Sequence, residues 1–266
     1  MTNKQSVLIT GASAGIGAIY ADRFAARGHG LVLVSIDAEG MNAVAKGLRE
    51  KYGVTVDVIR ADLTAPDDLA TVEARLRDDA DIGILVNNAG ASLGGHFVDQ
   101  SVDAAAKLLF LNALAPLRLA RAVAPRLANA GAGAIVNISS VMALAPEYGM
   151  IVYSATKAFV QQFSHGLSVE LGPKGVYVQT VMPGPTRTQI WESAGVDMRT
   201  LPATMEVEKM VDAALIGFDR RETITFPALY EEEKWGRLEE VRQTLLASTS
   251  PMQVAKRYQA TPHQLR

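Results

Sequence analysis

The sequence predicts an α/β protein with a single doubly wound domain, and three observations carry that prediction. First, seven short β-forming runs recur along the chain, at Ser6–Thr10, Leu31–Ile36, Thr55–Ile59, Ile82–Val86, Ala134–Ser139, Val176–Met182 and Thr223–Phe226. Second, these runs are continuously apolar more than alternating, the pattern of strands covered on both faces and hence of a parallel sheet. Third, Ala- and Leu-rich segments of helical length separate them, over about 15–28, 39–52, 66–79, 101–128 and 151–172, so the chain reads β-α-β-α throughout. Right-handed crossovers then place helices on both faces, and ligands bind beyond the carboxyl ends of the strands.

At 266 residues and 48% hydrophobic, the chain is long enough to bury a large core. No Pro/Ser-rich linker, charge block or internal repeat divides it, so one domain over 1–266 is expected. The net charge of −2 and pI near 6.1 give no basic footprint, which argues against a nucleic-acid partner. Met1 to Ser6 lead straight into an apolar strand without a secretory core, and Arg118, Arg121 and Arg126 interrupt the run Leu114 to Leu127. No membrane insertion is expected. The absence of cysteine excludes disulfides, thiolate zinc sites and cysteine nucleophiles, and fits a cytoplasmic location. His29, His96, His165 and His263 lack metal-ligand spacing, so no metal is expected.

The first strand runs into Thr10-Gly11-Ala12-Ser13-Ala14-Gly15-Ile16-Gly17, which opens a helix. Gly11 permits a sharp turn, Gly15 lets backbone approach a pyrophosphate, and Gly17 allows close helix–sheet packing. The helix start adds unpaired N–H groups and a positive dipole end. No Lys followed by Ser or Thr comes after this loop, against a P-loop hydrolase. The fourth strand ends in Asn87-Asn88-Ala89-Gly90, and the last of the long helical segments opens with Tyr153-Ser154-Ala155-Thr156-Lys157. Tyr153 and Lys157 stand at i and i+4, on one helix face. A phenol with a pKa of about 10 is a poor base at neutral pH, and a fixed ammonium nearby favours its ionised form. Ala155, Phe159, Phe163, Leu167 and Leu171 form a separate apolar stripe, since position 155 lies about 200° around the helix from 153.

The glycine spacing, the Asn-Asn-Ala-Gly segment and the Tyr-x-x-x-Lys pair, in this order, resemble the short-chain dehydrogenase/reductase family over about residues 5–227. The resemblance implies a seven-stranded Rossmann-type sheet and alcohol–carbonyl oxidoreduction with an NAD or NADP cofactor. It makes Tyr153 the acid or base, Lys157 its activator and a ribose partner, Ser140 the substrate-oxygen partner and Asn112 the holder of a relay water. Ser140 is preferred to Ser139 because the family's serine stands thirteen residues before its tyrosine; Ser139 is then a strand-end residue.

By the same resemblance the dinucleotide is held by Gly11, Ser13, Ala14, Gly15, Ile16 and Gly17, by Ser35, Ile36 and Asp37, and by Asp62 and Leu63. Asn87, Ala89 and Gly90 line its ribose, and Pro183, Gly184, Thr186 and Thr188 its carboxamide. Asp62 reads equally well as a cap of the next helix, and Asn87 and Asn88 as structural amides. Ser35 stands where NAD-binding members carry Asp, and Ile36 where NADP-binding members carry Arg, leaving the choice between NAD and NADP open.

Residues 189–205, with Trp191, Gly195 and Met198, suit either a lid or a plain surface connection. Leu93, Met142, Leu144 and Tyr148 suit either an apolar substrate pocket or core, and His96 is expected on an exposed loop. Glu231-Glu232-Glu233-Lys234 reads as a solvated helix face within an extension over about 228–266. The family often pairs subunits through the Tyr153 helix, which implies a homodimer or homotetramer. The leading expectation is oxidoreduction of a small or medium, fairly apolar alcohol or carbonyl compound. The rivals are a 3-oxoacyl-thioester reductase of fatty-acid type and a dinucleotide-sensing regulator without catalysis.

Overall fold

The computed structural model of the chain describes residues 4–188, 190–193, 203–249 and 252–258. It divides into two compact units, Met1–Ala228 and Leu229–Arg266. The first carries all seven strands: β1 Ser6–Thr10, β2 Leu31–Ser35, β3 Val56–Arg60, β4 Ile82–Asn87, β5 Ala134–Ile138, β6 Tyr177–Val181 and β7 Ile224–Thr225. Every pairing is parallel, in the order β3-β2-β1-β4-β5-β6-β7. The order reverses between β1 and β4, opening a crevice beyond their carboxyl ends.

The first unit's helices are α1 Gly15–Ala26, α2 Ala38–Tyr52, α3 Pro66–Asp78, α4 Val102–Leu109, α5 Ala115–Ala130, α6 Ile151–Leu171, the short α7 Ile190–Ser193, and α8 Val207–Asp219. The second unit contains α9 Glu233–Ala247, so the acidic run read as a helix face ends at that helix's first turn. Strand residues alternate between two cores, as the pleat requires. Val7 and Ile9 of β1 pack with Tyr20, Phe24, Met41 and Met210 on one face. Leu8 packs with Leu69, Leu119, Val123 and Ile135 on the other. Each such fully buried side chain contributes about 1.5–3 kcal/mol of transfer free energy.

The single helix expected over 101–128 is instead two α-helices joined by a π-helical turn, Phe110–Leu114. Pro116 stands at the first turn of α5 and has no N–H to offer the carbonyl four residues earlier, so one rung of the regular ladder is missing at the junction. The stretch Val102–Ala130 is long and apolar enough to cross a membrane by length and composition, and half of that window is buried inside the protein.

Candidate active site

A cavity of 260 Å³ lies at the crevice, lined by the glycine loop, the segments after β4, β5 and β6, and the start of α6. At one end the walls are mostly backbone. Gly11 has φ +65°, and a Cβ there would stand 2.9 Å from the Cα of Ala89. A Cβ on Gly17 would overlap the Gly11 carbonyl. Ala14 caps α1 without any side-chain acceptor, so the first N–H groups of the helix stay available to an anion. Ser13, Ala14, Gly15 and Ile16 line the cavity beside them. The residues present therefore fit the pyrophosphate of an NAD(P) dinucleotide.

The adjoining wall separates the two neighbouring amides, and Asn87 takes the structural role, one of the two expected of it. Asn87 is not among the cavity-lining residues; its Nδ2 donates to Asn137 Oδ1 at 2.9 Å and to the Pro116 carbonyl at 3.3 Å inside the fold. Asn88 takes the place beside Ala89 and Gly90. Its Nδ2 donates to the carbonyls of Thr10 (2.9 Å) and Gly11 (3.1 Å), while Thr10 Oγ1 accepts from the N–H groups of Asn88 and Ala89. These bonds tie the ends of β1 and β4 together. A four-residue motif does not reveal which of two neighbouring amides turns inward.

Ser35, Ile36 and Asp37 lie beyond the cavity at the end of β2. The hydroxyls of Ser13 and Ser35 are 3.1 Å apart, Ile36 is exposed, and Asp37 Oδ1 accepts from the Gly40 N–H at 2.9 Å as the N-cap of α2. Asp62 does not cap α3, whose N-cap is Ala65. Its Oδ1 accepts from both the N–H (2.9 Å) and the hydroxyl (2.7 Å) of Thr64, and these bonds hold its carboxyl below the usual range. The Leu63 side chain is buried in the core with Leu8 and Val32, which leaves only its backbone to face an adenine.

At the other end the walls are side chains. Tyr153, Lys157, Ser140 and Asn112 are all buried, and the first three line the cavity. Lys157 Nζ donates to the Ile138 carbonyl at 3.0 Å and stands 5.6 Å from the centre of the Tyr153 ring. Ser139 Oγ donates to the Lys157 carbonyl at 2.7 Å, a strand-end role as expected. Ser140 Oγ accepts from the Met142 N–H at 3.1 Å and stands beside the Tyr153 hydroxyl.

The Asn112 side chain is fully engaged. It donates to Ala91 O (2.9 Å) and Thr156 Oγ1 (3.1 Å) and accepts from Ala91 N (3.0 Å). Thr156 Oγ1 in turn donates to the Tyr153 carbonyl at 2.7 Å. Asn112 thus ties the loop after β4 to α6.

Burial dominates the titration of the pair. It pushes the Tyr153 phenol up to about 12, against the opposing hydrogen bond from Ser140. It pulls the Lys157 ammonium down to about 8. Desolvation is the larger influence on both groups. Burial thus favours the protonated phenol of Tyr153 and opposes the charged form of Lys157.

Leu108, Val152 and Tyr153 form an apolar cluster with Ala91, Leu93, Met142, Met150 and Ile190. Met142, Met150 and Ile190 also line the cavity, whereas Leu144 and Tyr148 are exposed, Tyr148 at 78%, and do not line it. His96 is exposed. Sequence reasoning missed Met150 and Ile190, which reach the site only through tertiary packing. Met150 has φ +54°, a strained value for a bulky residue. Pro183, Gly184, Thr186, Thr188 and Trp191 line the cavity, and Trp191 Nε1 donates to the Thr186 carbonyl at 2.7 Å. Of the segment considered as a lid, Gln189 and 194–202, including Gly195 and Met198, lie outside the described residues.

A buried Tyr–Ser–Lys cluster facing a glycine-loop cradle across one cavity defines a dinucleotide-dependent site. Comparison with known families matches residues 5–199 to the short chain dehydrogenase family, and the chain belongs to it. It is 55% identical to a solved short-chain dehydrogenase from Sphingobium yanoikuyae in complex with NADPH, with a TM-score of 0.95 over 96% of this chain and 100% of that one. It is 53% identical to a bulky-bulky ketone specific alcohol dehydrogenase from Comamonas testosteroni, with a TM-score of 0.92 over 97% and 100%. Among curated proteins, it is 34% identical to very-long-chain 3-oxoacyl-CoA reductase-B of Danio rerio over 69% of this chain. That match spans 60% of the relative's own length.

Proposed function

We propose that the protein is an NAD(P)-dependent oxidoreductase that interconverts a ketone and an alcohol bearing apolar groups. The observation that carries this reading is Tyr153, beside Ser140 and Lys157 at the apolar end of a cavity whose other end is a pyrophosphate cradle. With its pyrophosphate held at that cradle, a bound NAD(P)H would supply the hydride. Ser140 donates a hydrogen bond to the substrate oxygen, and Tyr153 delivers the proton that makes it a hydroxyl. Lys157, fixed by the Ile138 carbonyl, keeps a positive charge beside the phenol as it loses that proton. Met142, Met150 and Ile190 give the substrate an apolar, adaptable wall and limit water.

NADPH is the favoured cofactor in this proposal. Asp37, the nearest carboxylate in sequence, is spent as the α2 cap, and β3 places Arg60 directly across from Ser35. The Sphingobium yanoikuyae relative, described in complex with NADPH, supports the same choice. Self-association through α6 belongs to the proposal too, because Ile151, Ala155 and Phe159 leave an apolar strip exposed on that helix. A monomeric mass by light scattering would contradict it.

The names of the curated relatives favour a second reading, reduction of a 3-oxoacyl thioester. Following nicotinamide absorbance with each cofactor, over ketones flanked by apolar groups and over 3-oxoacyl-CoA esters, separates the two. The proposal expects faster turnover of the ketones with NADPH; turnover confined to the thioesters would establish the second reading, and no oxidation with any of them would overturn both.

A further inference from the structure

The hydroxyl of Ser92 is buried and has no hydrogen-bond partner. Its residue borders the same cavity as Tyr153 and Ser140. A buried hydroxyl without a protein partner is costly unless a molecule in the cavity meets it. The loop that carries it is not loose. Ala91 is held at both its N–H and carbonyl by Asn112, and Gln100 Nε2 donates to the carbonyls of Gly94 (3.1 Å) and Gly95 (3.2 Å). Ser92 therefore sits in a segment clamped on both sides. Its neighbours Ala91 and Leu93 belong to the apolar cluster of Tyr153, Met142, Met150 and Ile190, and so to the substrate end of the cavity, not the glycine loop.

We propose that Ser92 is a second polar anchor for the substrate, and that the preferred ketones carry another oxygen acceptor beside the reacting carbonyl, as 2-oxo esters do. One χ1 step redirects a serine hydroxyl without moving its backbone. With Ser140 and Tyr153 on the reacting oxygen, a donor from Ser92 to the second oxygen fixes the rotation of the substrate about its carbonyl. This rests on the oxidoreductase reading above and deepens it.

The test compares a 2-oxo ester with a ketone of the same length in which a methylene replaces the ester carbonyl, using wild type, Ser92→Ala and Ser92→Thr. The readout is the ratio of their kcat/KM values, in which intrinsic reactivity cancels between enzymes. Ser92→Ala lowers the ratio by about five- to tenfold, the worth of one neutral hydrogen bond, and Ser92→Thr restores it. An unchanged ratio in Ser92→Ala overturns the proposal. So does a loss expressed only in the KM for NADPH, which would make the hydroxyl a cofactor contact. Failure of the wild type to turn over either compound would instead sink the oxidoreductase reading.

Discussion

The two ends of the cavity are built from different materials. The dinucleotide end is a backbone surface, shaped by Gly11 and Gly17 and tied to β4 by Thr10 and Asn88. The substrate end is a set of side chains from the segments after β4, β5 and β6 and from α6, held by a chain of hydrogen bonds from Ala91 through Asn112 and Thr156 to Tyr153. A backbone surface tolerates almost no added atom but reads little of the local side-chain sequence. The side-chain end accepts many replacements, each of which changes which substrate fits. Common cofactor chemistry and divergent substrates within one fold follow from that division.

Replacing Gly17 by Ala presses hardest on the comparison. Its methyl would meet the Gly11 carbonyl, so relief requires the loop or α1 to move. We expect a loss of about 1–3 kcal/mol of stability, as overpacking costs, seen as a lower Tm, together with markedly weaker NADPH binding by titration. Retained affinity and Tm would show that the cradle is softer than its geometry. A smaller effect lies at the other end. With Tyr153 protonated up to about 12, the first group to lose its proton on raising the pH is Lys157, near 8. In the reducing direction kcat/KM should hold at neutral pH and fall as the lysine loses its charge through that value. A plateau extending to pH 10 would contradict the assigned burial effect.

The same division explains what was legible in the sequence. The parallel sheet was readable because strands buried on both faces are nearly continuously apolar, as β1 and β2 are. Tyr153 and Lys157 were readable because i, i+4 spacing fixes their shared face before any tertiary contact forms. The exchange of Asn87 for Asn88, the inward turn of Leu63 and the π-helical turn at Asn112 depended on neighbours far along the chain. Met150 and Ile190 gave no local signal at all; each enters the apolar wall only when α6 and α7 reach the ends of β5 and β6.

The central claim is that Tyr153 delivers the proton while the glycine cradle holds the dinucleotide independently. Tyr153→Phe, measured in parallel for ketone turnover and for NADPH dissociation constant, tests both halves in one protein. The account predicts kcat lower by about 10²- to 10⁴-fold, the usual worth of a positioned acid, with the dissociation constant nearly unchanged. A near-normal kcat in that variant would contradict it.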